Sequence, residues 1–357
     1  MDTVHAYGVS TTRYLQTHYR DTQSWFLFVS MVADLRNTFF VFFPVCFHLR
    51  EAVGIKLVWV AVVGDWLNLI FKWILFGERP YWWVQETPYY GNSSAPQIGQ
   101  FHMTCETSPG SPSGHAMSAA GVYYAMISSL LAILLKEHGL TVCPSLRVCV
   151  CVRCVRGTLW AVFWCVQVCV CLSRVFIAAH FPHQVVAGVV TGVFPFDRVQ
   201  WIYRASLRRY VYTTLSLLSF AVGFYLVLRG LGVNLLWTLD KAQRWCQWPQ
   251  WVHIDTTPFA SLLRNTGTLL GLGLGLHSPL YAEARRVGGG ATYRLACVGA
   301  TLLLLHLLDS FRPPAHTRAL FYLLSFCKSA TVPLATVGIV PYCVAEAAGW
   351  NGKKHQF

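Results

Sequence analysis

The chain has 357 residues, of which 55% are hydrophobic and 12% are charged, and its mean hydropathy is +0.45. A soluble domain is about 25% charged, so this composition excludes a disordered chain and an array of charged helices. The formal net charge of +13 could suit nucleic acid, but the 28 Lys and Arg are scattered through short connections, so we expect no nucleic-acid partner.

Apolar stretches of about 20 residues, long enough to cross the hydrocarbon core of a bilayer, recur along the chain. The predicted fold class is therefore an all-α polytopic membrane protein surrounded by membrane lipid. The first 24 residues are polar and no cleavage site precedes Trp25, so we expect no signal peptide. Nine transmembrane helices are predicted, at residues 25–46, 54–76, 115–135, 151–172, 180–197, 208–229, 255–276, 292–311 and 319–343.

Nine spans place the two termini on opposite sides of the membrane. Most Lys and Arg lie in short connections on one side, which the positive-inside rule assigns to the cytoplasm together with the carboxyl terminus. The amino terminus and the long segment 77–114 are then expected on the other side. The N-x-S/T sequon at Asn92 falls in that segment and agrees with this orientation, since glycosylation marks non-cytoplasmic loops.

Cysteine usage points to no metal and leaves one pairing open. Cys151-x-x-Cys154 could suggest zinc, but no second pair with ligand spacing accompanies it, so we expect no metal site. Cys105 and Cys246 both fall on the oxidising side and could form a disulfide, which the sequence alone does not decide.

Ionisable side chains within or at the ends of spans are costly in lipid and mark functional sites. Lys72 lies near the end of the second span, and Arg79 follows about two helical turns later, so both can face one pocket. Pro80 disfavours helix at Arg79 and places its guanidinium where the chain leaves the bilayer. Other charged residues are expected only to pair between helices: Arg36, Asp65, Arg264, His306, Asp309 and Lys328.

The third span opens with Ser111-Pro112-Ser113-Gly114-His115. Ser at the cap and Pro in the first turn are typical of a helix start, whose free N–H groups and positive dipole end form an anion site. Gly114 would let an anion approach the backbone closely. An ordinary capped helix is the alternative interpretation.

Arg174 ends the fourth span and His180 begins the fifth. The second and fourth spans leave the membrane on the non-cytoplasmic side and the third and fifth enter from it, so these segments converge on one face. Three cations, a helix amino terminus and two histidines at one place are typical of a phosphate-handling site. The convergent residues are Lys72, Arg79, Ser113, Gly114, His115, Arg174 and His180.

Three segments resemble, in order, the signature of the type 2 phosphatidic acid phosphatase superfamily: Lys72-x6-Arg79-Pro80, Pro112-Ser113-Gly114-His115 and Ser173-Arg174-x5-His180. Residues 64–68, 179–184 and 251–255 extend the resemblance to the glucose-6-phosphatase family within it. The resemblance implies one integral membrane domain over residues 1–357. Its expected parts are a helical catalytic core at about 25–200, additional helices at about 208–343 and a cytoplasmic tail at 344–357.

The same resemblance implies the chemistry. Its members hydrolyse phosphate monoesters through a phosphohistidine without a metal or other cofactor. In the glucose-6-phosphatase family the substrate is glucose 6-phosphate, hydrolysed at the luminal face of the endoplasmic reticulum in gluconeogenesis and glycogen breakdown and supplied by a glucose-6-phosphate translocase. By this resemblance His180 is the nucleophile and His115 the proton donor and acceptor, and the phosphate is bound by Lys72, Arg79, Ser113, Gly114 and Arg174.

Two features depart from the family pattern. Gln184 stands where the superfamily has an Asp that orients the nucleophilic histidine, and we expect an intramembrane carboxylate such as Asp34 to take that role. Lys353 and Lys354 lie one place further from the carboxyl end than a dilysine retrieval signal. No motif specifies the sugar; Glu106, close to the phosphate segment, is a candidate for contact with a hydroxyl.

The alternative is a lipid phosphate phosphatase of the same superfamily, with the same catalytic face and a substrate that enters from the bilayer. That branch usually has six spans, so the additional carboxyl-terminal helices disfavour it. A transporter or channel would explain many spans but would not need Arg and His gathered at one membrane face.

Overall fold

The computed structural model describes residues 1–91, 94–137, 146–193, 200–287, 290–314 and 317–347. Within these ranges all regular structure is helical, as predicted, and no strand is present. The sequon residue Asn92 and the pair Lys353 and Lys354 lie outside the described residues.

The helices differ greatly in length, from three residues to 31 residues. In chain order they are α1 Asp2–His18, α2 Gln23–Val32, α3 Leu35–Asn37, α4 Phe43–Leu49, α5 Glu51–Leu75, α6 Pro80–Glu86, α7 Gly114–Glu137, α8 Leu146–Phe176, α9 Pro182–Gly192, α10 Leu207–Gly230, α11 Trp237–Trp245, α12 Pro258–Leu276, α13 Pro279–Val287, α14 Ala291–Ser310, α15 Arg318–Leu334 and α16 Val340–Ala347. A π-helical turn, Ala335–Ile339, follows Pro333 in α15, because proline removes a donor from the helical ladder.

Six helical segments in the described part of the chain are long and apolar enough to cross a membrane, and a bent pair, Arg20–Val32 with Leu35–Leu49, raises the number to seven. The predicted count of nine is not confirmed. The difference lies in the predicted spans 180–197 and 255–276. α9 has only 11 residues, too few for a core of about 30 Å, and α12 is interrupted by charged and polar side chains.

The chain divides into two compact units. The first comprises Met1–Leu35, Leu67–Arg198 and Asn234–Thr257, and the second comprises Arg36–Trp66, Val199–Val233 and Pro258–Phe357. In the first unit α7 packs against α8 and α9, α1 and α2 pack against α8, and α6 packs against α1 and α11. All the residues predicted to converge lie in this first unit.

Glycines bring α9 unusually close to α7. A Cβ atom at Gly188 would lie 2.7 Å from the carbonyl oxygen of Ser113, and one at Gly192 would clash with the carbonyl oxygen of Met117. Small residues permit this approach between apolar helices. As a result the first turns of α7 and α9 lie side by side, which positions Ser113 near the start of α9.

In the second unit α12 packs against α15 and α10. Arg36 forms an ion pair with Asp309, and Lys328 Nζ lies 3.7 Å from the Asp309 carboxylate. The Asn265 amide donates to the Asp65 carboxylate at 2.5 Å. The predicted pairing of Arg36, Asp65, Asp309 and Lys328 is therefore confirmed.

Candidate active site

The predicted site residues all lie in the first unit, and each of them lies at or next to the end of a helix. Lys72 is in the last turn of α5, and Arg79 directly precedes α6. Gly114 begins α7, Arg174 is in the last turn of α8, and His180 lies between α8 and α9. Helix ends leave backbone groups unpaired, so these loops are suited to bind polar ligands.

Arg79 is fully buried and holds two loops together. Its Nε donates to the Ser108 carbonyl oxygen at 2.8 Å and its Nη1 to the Ala179 carbonyl oxygen at 2.9 Å. Its Nη2 donates to Glu106 Oε2 at 2.8 Å, and Nη1 lies 3.4 Å from His180 Nε2. The guanidinium is therefore fixed beside His180 with its charge directed at Glu106.

Arg174 is the second buried guanidinium of the site. Its Nη1 donates to Ser30 Oγ at 2.7 Å, and its Nη2 donates to Glu106 Oε1. Its Nε is buried and has no hydrogen-bond partner among the described residues. Ser30 therefore orients this side chain from α2.

The Glu106 carboxylate bridges both arginines and lies near both histidines. Besides its bonds to Arg79 and Arg174, Oε1 lies 3.6 Å from His115 Nδ1 and Oε2 lies 3.8 Å from His180 Nε2. Burial alone would raise the pKa of Glu106, but Arg174 and Arg79 hold it well below its usual value, so this group is an anion. Glu106 therefore lies among the cations predicted to bind phosphate, and its contact with a sugar hydroxyl stays a prediction.

His180 is fully buried, and its Nδ1 lies 2.8 Å from the Gly110 carbonyl oxygen. A carbonyl oxygen only accepts, so Nδ1 carries the proton and Nε2 presents its lone pair to Arg79. Burial and the charge of Arg79 lower the pKa of His180 well below its usual value, which keeps the ring neutral. The expected orienting role of Asp34 is not what the structure shows: Asp34 Oδ2 lies 3.9 Å from His115 Nε2, and Gly110 is the partner of His180.

His115 follows Gly114 in the first turn of α7, across the Glu106 carboxylate from His180. Its Nε2 is buried without a hydrogen-bond partner in the described part of the chain. The two histidines therefore each lie near one oxygen of the Glu106 carboxylate, close enough together for one to act as a nucleophile and the other as a proton donor.

Ser113 contributes differently from the prediction. Its backbone N–H donates to the Gln184 carbonyl oxygen at 3.1 Å, so this N–H is already satisfied. Its hydroxyl is fully buried and makes no hydrogen bond with the described residues, so the side chain is the group suited to an incoming anion. A Cβ at Gly114 would lie 3.2 Å from Asn68 Oδ1, which explains glycine at this crowded helix start.

Lys72 is buried and donates from Nζ to Ser108 Oγ at 2.7 Å. The same hydroxyl accepts from Arg79 Nη2 at 3.1 Å, so Ser108 joins the two cations that the sequence places seven residues apart. Unsatisfied buried polar atoms are costly unless a ligand pairs with them. With the described residues as partners, the Ser113 hydroxyl, His115 Nε2 and Arg174 Nε are such atoms, and all three can pair with an oxyanion.

Comparison with known proteins shows to which family the chain belongs. The family model of the PAP2 superfamily matches residues 53–205. The glucose-6-phosphatase catalytic subunit 1 of Felis catus is 58% identical over 359 residues, which cover 99% of this chain and 98% of that protein. The chain belongs to the glucose-6-phosphatase family. Glucose-6-phosphatase 2 of Homo sapiens is 49% identical, with 100% of both chains covered. No solved structure matches the chain.

Membership of the glucose-6-phosphatase family confirms the resemblance, the all-helical membrane fold and the predicted enzyme class, a phosphoric monoester hydrolase. Within the described residues, no group of three or more His, Cys, Asp or Glu side chains could hold a metal ion. The cations of the site, Lys72, Arg79 and Arg174, are groups that bind anions.

A disulfide ties the segment 234–257 to the loop that carries Glu106. Cys105 and Cys246 form the bond that the sequence left open. Thr238 Oγ1 also donates to the Thr107 carbonyl oxygen at 2.7 Å. Both neighbours of Glu106 are therefore held by a segment that follows α10 in the sequence.

Sequence reasoning missed Ser30, Ser108 and Gly110, although each bonds a predicted site residue. Their contacts are made by serine hydroxyls and by a backbone carbonyl. These groups are common throughout the chain, so no motif in a single sequence predicts which of them bind the site residues.

Proposed function

We propose that the protein hydrolyses glucose 6-phosphate to glucose and inorganic phosphate through a phosphohistidine at the luminal face of the endoplasmic reticulum. One observation carries this proposal: the buried His180 and the partly buried His115 both lie beside the Glu106 carboxylate that Arg79 and Arg174 bind, in a chain 58% identical to a glucose-6-phosphatase catalytic subunit.

Substrate binding would replace the Glu106 carboxylate on the two guanidinium groups with the phosphate. Arg79 and Arg174 already direct hydrogen bonds at the oxygens of this carboxylate, and guanidinium groups bind the anionic oxygens of carboxylates and phosphates in similar ways. The Ser113 hydroxyl and Lys72 would take further phosphate oxygens. The transition state spreads negative charge over three equatorial oxygens, and these cations would stabilise it without a metal.

In the first step, His180 Nε2 attacks phosphorus in line and a P–N bond forms as the bond to the sugar oxygen breaks. Protonated His115 gives its proton to that departing oxygen, and glucose leaves. In the second step, water gives a proton to His115 and attacks phosphorus. The P–N bond breaks, inorganic phosphate is released, and His180 returns to its neutral form.

The expected topology places this chemistry away from the cytoplasm. The amino terminus and the site would face the lumen, and the carboxyl terminus would face the cytoplasm, in agreement with the bias of Lys and Arg. Asn92 would then carry a glycan, and Lys353 and Lys354 would serve as a displaced retrieval signal. Substrate made in the cytosol would have to cross the membrane, so functional coupling to a glucose-6-phosphate translocase is part of the proposal.

Phosphate release by the detergent-purified protein in EDTA tests the proposal. The substrates to compare are glucose 6-phosphate, mannose 6-phosphate and a lysophosphatidate, with His180→Ala as the blank. We expect a strong preference for glucose 6-phosphate that is unaffected by EDTA and lost in the blank. A preference for the lipid would indicate a lipid phosphate phosphatase, and activity that survives in the blank would overturn the role of His180.

A further inference from the structure

One buried glutamine joins the three segments of the site. Gln184 lies in the first turn of α9 and is fully buried. Its Oε1 accepts from the Phe181 N–H at 3.1 Å, and its Nε2 donates to the Glu78 carbonyl oxygen at 2.6 Å. Its backbone carbonyl oxygen accepts from the Ser113 N–H at 3.1 Å. Each partner is a site residue or the direct neighbour of one.

The same side-chain amide lies against Gly110. A Cβ at Gly110 would be 2.9 Å from Gln184 Nε2 and 3.0 Å from Gln184 Oε1, and it would also clash with the Glu78 carbonyl oxygen. On its other side, the Gly110 N–H donates to the Gly77 carbonyl oxygen at 2.6 Å. Gly110 is therefore held between Gln184 and residue 77, with no space for any larger side chain.

The Gly110 carbonyl is the group that accepts the proton of His180 Nδ1, at 2.8 Å. This hydrogen bond sets the rotation of the imidazole and keeps the proton on Nδ1, which leaves the Nε2 lone pair for the reaction. Movement of Gly110 would move the ring or free it to change tautomer. A displacement of about 1 Å at a reacting group can cost about 100-fold in rate.

We propose that Gln184 is a positioning residue for the nucleophile: through Gly110 it holds the His180 imidazole in the tautomer and orientation that attack phosphorus. This inference rests on the proposed phosphohistidine mechanism and deepens it. Gln184 does not touch the reacting atoms, and its hydrogen bonds could also serve only to cap α9. The two roles differ in what they change: a structural loss lowers the amount of competent enzyme, whereas mispositioning lowers the rate of each competent site.

Single-turnover formation of the phosphoenzyme from glucose 6-phosphate separates the two roles, because its amplitude counts competent sites and its rate constant reports attack. Gln184→Leu keeps the approximate volume and removes both side-chain hydrogen bonds. We expect its rate constant to fall about 100-fold, with the amplitude and the inhibition constant for inorganic phosphate preserved. Gln167→Leu is the matched control, since Gln167 is also buried in the first unit and its amide atoms have no partner among the described residues.

Gln184→Glu provides a conservative rescue. Its protonated carboxyl group offers one donor and one acceptor, as the amide does. Its ionised form has no donor and cannot make the hydrogen bond to the Glu78 carbonyl oxygen. We expect the ratio of its rate constant to that of the unmodified chain to approach one at acid pH and to fall as pH rises, because the titration of groups that both chains share cancels in the ratio. Gln184→Leu should be slow throughout.

An unchanged rate constant in Gln184→Leu, whether or not the amplitude falls, would overturn the positioning role. Absence of any phosphoenzyme in the unmodified chain would instead overturn the proposed function itself.

Discussion

Glu106 is an anion that the protein itself supplies to the cations proposed to bind phosphate. Its two oxygens bind Arg79 and Arg174, which are both fully buried. Without this carboxylate the two guanidinium charges would lie together in a poorly solvated site, which is costly. Under the proposed function, the substrate phosphate would compete with Glu106 and would bind the same two guanidinium groups once it had displaced the carboxylate.

Glu106→Gln is expected to bind phosphate analogues more tightly. The neutral amide does not compete with an anion for the two guanidinium groups, whose positive charges are then not neutralised by a carboxylate. The predicted gain in affinity for vanadate is about tenfold, equivalent to about 1.4 kcal/mol. Isothermal titration with vanadate would measure it. Glu86→Gln removes the same charge from an ion pair with Lys241 and is the control. Equal or weaker vanadate binding by a folded Glu106→Gln would refute the competition.

The residues predicted from sequence are those whose side chains and spacing form a motif. Lys72, Arg79, Arg174 and the two histidines could be predicted because charge is rare in apolar segments. Asp34 was expected beside His180 for the same reason, yet the partner is the carbonyl of Gly110. Every residue has a carbonyl group, so no pattern in one sequence could single this one out.

At the level of helices, hydropathy predicts where spans exist but not how close they pack. The start predicted for the fifth span at residue 180 differs from the start of α9 at Pro182, and this difference leaves His180 in a loop. Proline is well placed in the first turn of a helix, so the boundary has a physical reason. The close approach of α9 to α7 depends on Gly188 and Gly192, whose role emerges only when both helices are present.

The segment 234–257 is expected to hold the Glu106 loop in place through the Cys105–Cys246 disulfide. In Cys246→Ser the loop would be less restrained, so we expect the KM for glucose 6-phosphate to rise about fivefold, equivalent to about 1 kcal/mol. Steady-state kinetics would measure it. Cys327→Ser changes an exposed free cysteine and is the control.

The double variant Cys105→Ser with Cys246→Ser should match the single one, because either change removes the same bond. Unchanged KM in Cys246→Ser would show that the hydrogen bonds of Thr238 and its neighbours suffice.

On the scale of the whole molecule, the sequence predicts the membrane class but neither the number of spans nor the two units. Hydropathy treats each stretch independently, whereas the units gather stretches that are far apart in the chain. The first unit combines the amino terminus, the signature segments and residues 234–257. No local pattern predicts that last piece, because its bonds are made over more than a hundred residues.

The proposed orientation predicts opposite protection of the two termini. In sealed microsomes, a tag at the amino terminus should resist added protease and a tag at the carboxyl terminus should be digested. Detergent should expose both. Protection of both tags, or of neither, would require an even number of spans and would contradict the orientation derived from Lys and Arg.

The order of the chain has a consequence for its biogenesis. The last of the signature residues in chain order is His180. The disulfide partner Cys246 is synthesised much later, after α10. Until residues 234–257 have been synthesised, Cys105 has no disulfide partner from this segment, and Thr107 lacks the hydrogen bond of Thr238. A chain cut short between these points would contain every signature residue, but its Cys105 would lack Cys246 as a partner.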